Sequence, residues 1–188
     1  KISLYFSKSI IYSYIVINKG EYKMCNCNGK CDKSVGTINR GFEFTNESKN
    51  IKSYLPERST VKSAGYDFRI PGDENKEYII NPGESMIIPT NIKAFMLDDE
   101  ILHLHVRSSI GIKKGLILKN GTGIIDSDYY NNPSNEGNIH IALYNMSEGQ
   151  QFLNGGDKVI QGIFSKYLIV DNDQTVTERI GGTGSTGQ

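Results

Sequence analysis

Leu102-His103-Leu104-His105-Val106 alternates apolar and polar side chains at every step. A period of two places Leu102, Leu104 and Val106 on one side of an extended chain and both histidines on the other, which predicts a strand with one buried face. Further along, Ile139, Ile141 and Leu143 alternate with His140, Ala142 and Tyr144 in the same way. Upstream, Tyr78 to Ile80 runs into the turn Asn81-Pro82-Gly83, and the strand pattern resumes from Ser85 to Pro89. Leu116 to Leu118 and Gly123 to Ile125 flank Asn120-Gly121, a hairpin signal. Val159 to Val170 supplies at least one more strand, and no long stretch has helical periodicity. The expected fold is all-β, a distorted barrel or jelly-roll-like sandwich.

The 188 residues suit one domain with a real hydrophobic core. Twenty glycines against five prolines favour the tight turns of a β-rich fold. Twenty-one basic residues balance twenty-one acidic ones, so no global field draws the chain to nucleic acid or an anionic membrane, although a local patch can still bind phosphate. All three cysteines, Cys25, Cys27 and Cys31, fall within seven residues. That is a poor disulfide framework and fits a reducing cytoplasm. Three thiols without a nearby histidine also fall short of the four ligands of a closed zinc site.

Ile2 to Ile17 is too short and too polar for a membrane span of roughly 20 apolar residues, and it lacks a signal-peptide cleavage site. The chain begins with Lys1, and Lys19-Gly20-Glu21 can be encoded by a purine-rich stretch two codons ahead of Met24. Such a stretch suits a bacterial ribosome-binding site. The expectation is that residues 1–23 are translated leader and the natural protein starts at Met24. Residues 24–38 are polar, so 1–38 as a whole is expected to be a disordered N-terminal segment. A β domain follows over 39–172, and 173–188 form a glycine-rich arm. The end of that arm, from Gly181 to Gln188, cannot pack as a core element. It is either disordered or closes over a ligand, where its N–H groups can approach an anion.

Five segments carry chemistry. They are Ser63-Ala64-Gly65-Tyr66-Asp67; Val106-Arg107-Ser108-Ser109; Gly123-Ile124-Ile125-Asp126-Ser127-Asp128-Tyr129; Gly156-Asp157-Lys158-Val159-Ile160-Gln161; and Arg179 followed by Gly181-Gly182-Thr183-Gly184-Ser185-Thr186-Gly187. Each is weak alone. In this order and spacing, from about Arg40 to Gln188, they resemble the five motifs of the trimeric dUTPase family, in its bacterial and phage branch.

Nucleoside triphosphate hydrolysis needs charge neutralisation, an oriented water and a dry site. The resemblance implies that Asp126, at the end of a strand-like run, orients the water that attacks the α-phosphorus of dUTP, giving dUMP and pyrophosphate and limiting uracil incorporation into DNA. It places Asp67 at a Mg²⁺ ion through metal-bound water, consistent with the few protein ligands Mg²⁺ takes. Arg107, Ser108 and Ser109 offer a guanidinium fork, hydroxyls and backbone donors to phosphate, with Arg107 near phosphate or Asp126. Asn120, Ile124 and Ile125 would form the uracil pocket, and the Tyr129 ring would exclude a ribose 2′-hydroxyl. His140 would lie beside the nucleotide and Gln161 near phosphate. Arg179, Gly182, Thr183, Gly184 and Ser185 belong to the closing arm, with Asp157 as an anchor for Arg179 and Asp128 as a structural partner of an arginine. The family further implies a homotrimer with shared sites, and a regulatory protein partner if the chain is phage-derived.

Two features depart from the family pattern. Asn131 to Glu136 is an extra stretch at the rim, and Thr183 stands where the arm usually carries an aromatic that stacks on uracil. Tyr130 is the nearby aromatic that would compensate. His103 and His105 share one strand face as an incomplete metal pair. Among rivals, a dCTP deaminase on the same fold would lack the Ile-Asp-x-Asp-Tyr segment. A binding module that regulates a partner would not need Asp126, Arg107 and the arm together.

Overall fold

The computed structural model describes residues 12–18, 21–26, 36–177, 179, 181 and 182. Cys27, Cys31, Thr183, Gly184 and Ser185 lie outside them. The chain divides into two compact units, residues 1–41 and 42–188. In the first, β1 (Tyr12–Asn18), β2 (Glu21–Asn26) and β3 (Gly36–Thr37) form an antiparallel sheet in that order. The sequence reading expects no regular structure there, so this pairing is a difference between the two.

The second unit is built from short antiparallel strands. They are β4 (Gly41–Phe44), β5 (Tyr66–Arg69), β6 (Glu77–Ile80), β7 (Ser85–Pro89), β8 (Ile92–Phe95), β9 (Glu100–Val106), β10 (Leu116–Leu118), β11 (Gly123–Asp126), β12 (His140–Asn145), β13 (Gln151–Asn154) and β14 (Lys158–Lys166). Four strands make one sheet in the order β11-β9-β14-β5, three make another in the order β10-β12-β7, and β13-β6 and β4-β8 are two-stranded ribbons. The alternation in β9 holds: Leu102 and Leu104 are buried, while His103 and His105 are half-buried on the other face. Leu102, Leu104, Phe68 and Ile160 join Ile88, Leu116, Ile141 and Leu143 from the second sheet in one apolar core. The all-β expectation is met, and no helix among the described residues is long and apolar enough to cross a membrane.

Two local expectations change. The Asn120-Gly121 turn forms, with Gly121 N–H donating to Leu118 O at 2.9 Å, but its flanking strands do not pair as a hairpin. Instead β10 pairs with β12 and β11 pairs with β9. The turn carries the chain from one sheet to the other, since each flanking strand buries its apolar residues better against a non-adjacent partner. A short helix, α1 (Ser108–Lys114), also appears where periodicity gave no sign of one. Seven residues with a single buried side chain, Ile110, are too few to display a helical period. Extended Arg107 caps its start, and Gly115, at φ 64°, ends it by donating to Ile110 O.

Register in the four-stranded sheet decides the geometry of the chemistry. Asp126 lies opposite Ile101, and Gln161 lies opposite both His105 and Asp67. Because side chains alternate, Asp67, Gln161, His105, His103, Ile101, Ile124 and Asp126 all share the face away from the core. Four residues separate Ile101 from His105 along β9, and three strand spacings separate β11 from β5. Asp126 and Asp67 therefore stand roughly 20 Å apart on one sheet face.

Candidate active site

At one corner of that face lies an open cleft of about 270 Å³, lined by Ser59, Ser63, Gly65, Asp67, Arg107, Ser108, Ser109 and Gln161. Three of the five sequence segments meet here. Asp67, only 5% exposed, is the electrostatic centre. Its Oδ1 receives Arg107 Nε at 2.9 Å, and its Oδ2 receives Lys158 Nζ at 3.0 Å and Ser59 Oγ at 2.5 Å. Burial pushes the Asp67 carboxyl up, but the Ser59 and Lys158 hydrogen bonds and the charges of Arg107 and Lys158 outweigh it, so its pKa is lowered. Gln161 packs against the backbone of Gly65, where a Cβ would come within 2.6 Å of Gln161 Oε1. A side chain there would displace the Gln161 amide from its present place.

Ser59 and Lys158 are members of this cluster that sequence reasoning missed. Lys158 sat in a recognised segment, and its charge beside Asp157 was the available signal. Ser59 lies eight residues before Asp67 and carried none. Arg107 meets Asp67 rather than Asp126.

The second cluster forms at the far end of the face. Asp126 ends β11, and Ser127 to Tyr129 turn away in a short 3-10 helix. Arg179 of the arm donates from a guanidinium NH₂ to Asp126 Oδ2 at 2.6 Å and from Nε to Asp128 Oδ1 at 2.7 Å. Its guanidinium also covers the Tyr129 ring, 5.8 Å from the centroid. Asp128 is thus the arginine partner expected for it. Asp157 is not the anchor of Arg179, because its Oδ2 instead accepts from Asn154 N–H at 2.9 Å. Burial raises the Asp126 pKa, the Arg179 charge lowers it and the Asp128 charge raises it again, with a net upward shift.

The nucleoside candidates lie on several elements. Asn120 is exposed at the sheet-switching turn, and Ile124 is 51% exposed on the outer face. Ile125 packs against the core, which leaves only its backbone for a ligand. Tyr129 is buried, with its hydroxyl donating to Asn138 O at 3.0 Å. His140 is exposed at the start of β12, opposite Pro89. Tyr130, the aromatic expected to compensate for Thr183, is held by other strands. Its hydroxyl donates to Glu43 at 2.7 Å, and its ring is held between Phe95 and Lys93. The rings of His103 and His105 stack at 6.2 Å, and among the described residues no group of three His, Cys, Asp or Glu converges to hold a metal.

Residues 52–187 match the dUTPase family model. The chain belongs to the dUTPase family. It is 45% identical over 150 residues to the deoxyuridine 5'-triphosphate nucleotidohydrolase of Lactococcus lactis subsp. lactis (strain IL1403), covering 79% of this chain and 97% of that protein. The enzyme of the same name from Histophilus somni (strain 2336) is 32% identical over 140 residues, covering 71% and 87% of the two chains. The crystal structure of dUTPase from Streptococcus mutans superposes with a TM-score of 0.60 at 40% identity, covering 70% of this chain and 99% of that one. The dUTPase of Staphylococcus aureus phage phi11, described with a structural Mg(II) ion, shares the fold at 20% identity and a TM-score of 0.57, covering 73% and 97%.

Proposed function

We propose that this chain hydrolyses dUTP to dUMP and pyrophosphate, in a homotrimer whose sites join the cleft of one subunit to the Asp126 cluster of another. The observation that carries this reading is the separation of roughly 20 Å between Asp67 and Asp126 on one sheet face. No single chain brings its phosphate cleft and its water-orienting carboxylate to one nucleotide. A second copy, packed against the outer face that carries Ile101 and Ile124, would do so.

Within such a site, Arg107 and the hydroxyls of Ser108 and Ser109 bind phosphate oxygens, and Gln161 supports them. Asp126 orients the attacking water. Its Oδ2 is taken by Arg179, so water is held at Oδ1. The water oxygen bonds to the α-phosphorus, the bond from that phosphorus to the α–β bridging oxygen breaks, and the water proton passes to Asp126. The raised pKa of Asp126 suits it to accept that proton. Tyr129 supplies the wall against a 2′-hydroxyl. Backbone near Asn120 and Ile124 pairs with the uracil edge, where hydrogen-bond recognition discriminates strongly. His140 lies at the rim.

For Mg²⁺, the residues present fit an ion that arrives with the triphosphate rather than one held by protein alone. Two cations and a hydroxyl already occupy Asp67, which leaves one lone pair on Oδ1 for a metal-bound water. The ion would supply neutralisation of phosphate charge when bound. The balanced charge and the cysteine usage favour a cytoplasmic enzyme that binds neither nucleic acid nor membrane.

Pyrophosphate release from dUTP, UTP, dCTP and dTTP tests the activity, and dUTP alone should turn over well. Mixing inactive Asp126→Asn with inactive Arg107→Ala subunits tests the sharing. Mixed assemblies should regain activity, because some sites then combine an intact Arg107 with an intact Asp126. No recovery on mixing, with subunit exchange verified, would sink the shared site.

A further inference from the structure

The phenol of the buried Tyr129 has both of its hydrogen-bonding capacities in use. Its hydroxyl donates to Asn138 O at 3.0 Å and accepts from Asn135 Nδ2 at 2.8 Å. The accepting carbonyl is not free to swing. It shares a planar peptide with Ile139 N–H, which points the other way and donates to Ile92 O at 2.9 Å. Ile139 O in turn receives the N–H and the hydroxyl of Thr90, at 2.9 and 2.8 Å.

Two buried side chains, Asn91 and Asn138, complete the support. Asn138 Oδ1 accepts Asn91 N–H at 2.9 Å, and Asn138 Nδ2 donates to Asn91 Oδ1 at 3.3 Å. Asn91 Nδ2 donates to Ser53 Oγ at 3.1 Å, and Asn91 O accepts Thr45 N–H at 3.0 Å. Buried amides are costly to leave unpaired, so each asparagine holds the other in place. Asn91 also sits at φ 60°. The other non-glycine residues with left-handed backbone, among those described, are Asn131 (57°) and Glu136 (59°), on either side of Asn135. Backbone of this kind persists where its surroundings over-determine it, and it clusters at functional sites. All three residues lie on segments that brace one phenol.

We infer that the buried Asn91–Asn138 pair positions the Tyr129 ring, and through it sets the preference of the site for a deoxyribose over a ribose. Both asparagines are positioning residues that act through the Tyr129 hydroxyl. The sugar preference rests on the function proposed above; the bracing of the phenol does not. A ring free to tilt opens the space that a 2′-hydroxyl needs. Loosening the pair therefore favours the ribonucleotide, where a general loss of structure would impair both substrates.

The test compares full chains of wild type, Asn91→Gly, Asn138→Ala, Tyr129→Phe and the Tyr129→Phe, Asn138→Ala double variant. Glycine suits the left-handed backbone at position 91, so Asn91→Gly keeps the fold while removing half of the pair. Asn138→Ala should lower the kcat/KM preference for dUTP over UTP by about tenfold, chiefly by raising the UTP value. Asn91→Gly should lower it several-fold in the same sense. In the Tyr129→Phe background Asn138→Ala should add nothing, since the hydroxyl through which it acts is gone. An unchanged preference in Asn91→Gly, equal losses for both nucleotides, or an additive loss in the double variant would overturn the proposal. NMR of tyrosine isotope-labelled at Cζ gives a reading without turnover. The Tyr129 signal, identified by its loss in Tyr129→Phe, should move in Asn91→Gly and in Asn138→Ala. A signal that stays in place would overturn the bracing. A wild type inactive on dUTP would sink the proposed function instead, and the signal would still decide the bracing.

Discussion

Asp67 and Asp126 stand on the same face of the same sheet, each bonded to an arginine, yet their carboxyls shift in opposite directions. Burial raises both carboxyls, and what opposes it differs. Around Asp67, one buried carboxylate is shared by Arg107, Lys158 and the Ser59 hydroxyl. Around Asp126, two carboxylates compete for the single guanidinium of Arg179. Hydrogen bonds from Ser59 and Lys158, with the charges of Arg107 and Lys158, keep Asp67 ionised. A deficit of such charges at Asp126 leaves a carboxylate ready to take up a proton. One kind of ion pair thus sits in two settings that push the carboxyl in opposite directions.

The sharpest way to break this contrast is Asp126→Asn, which keeps the shape but removes the base. The expected outcome is a fall in kcat of about 10²- to 10⁴-fold with dUTP binding retained, checked by steady-state kinetics and direct titration. Retained turnover would remove Asp126 from the chemistry.

Next in size is Asp67→Asn, which takes the shared carboxylate from Arg107 and Lys158 and leaves Lys158 only Glu57, at 3.8 Å. Unfolding free energy should fall by about 2–3 kcal/mol, below the fully buried case because Arg107 and Lys158 stay partly exposed. Urea melts at neutral pH would measure it. Because the folded pKa of Asp67 is lowered, its stabilisation is present above the unfolded carboxylate value and lost as pH falls through the folded one. The gap between wild type and Asp67→Asn should therefore narrow only in acid.

Asp126 carries the opposite sign. As a base it must be ionised, so activity is lost as pH falls through its raised pKa. Arg179→Ala removes the charge that lowers that pKa and should move the acid limb of the kcat profile upward. Asp128→Asn removes the charge that raises it and should move the limb downward. Shifts in the same direction would refute the two-carboxylate account. The smallest effect belongs to Lys158→Met, where Arg107 and Ser59 still hold Asp67. A loss of at most about 1 kcal/mol is expected in the same melts.

Much of this was legible in the sequence. The period-two runs around Leu104 and Ile141 located the two core sheets, and five ordered segments located Asp67, Arg107, Asp126, Gln161 and Arg179. The pairing partners were not legible. Asn120-Gly121 has the local chemistry of a hairpin turn, but which strands its neighbours join depends on apolar faces far away in the chain. Helix α1 escaped because it is too short to show a period. The role of Tyr130 escaped because Glu43, Lys93 and Phe95, which hold it, come from other strands.

Residue type and spacing alone determined that the chain is all-β, and the five ordered motifs carried its resemblance to the dUTPase family. Both properties are local, set by side-chain alternation and by the order of short motifs. Only the tertiary structure decided that Asp67 and Asp126 stand apart and that Arg179 serves Asp126 and Asp128. Those facts depend on strand register and on contacts between residues distant in sequence, where a shift of one position would turn every side chain to the opposite face.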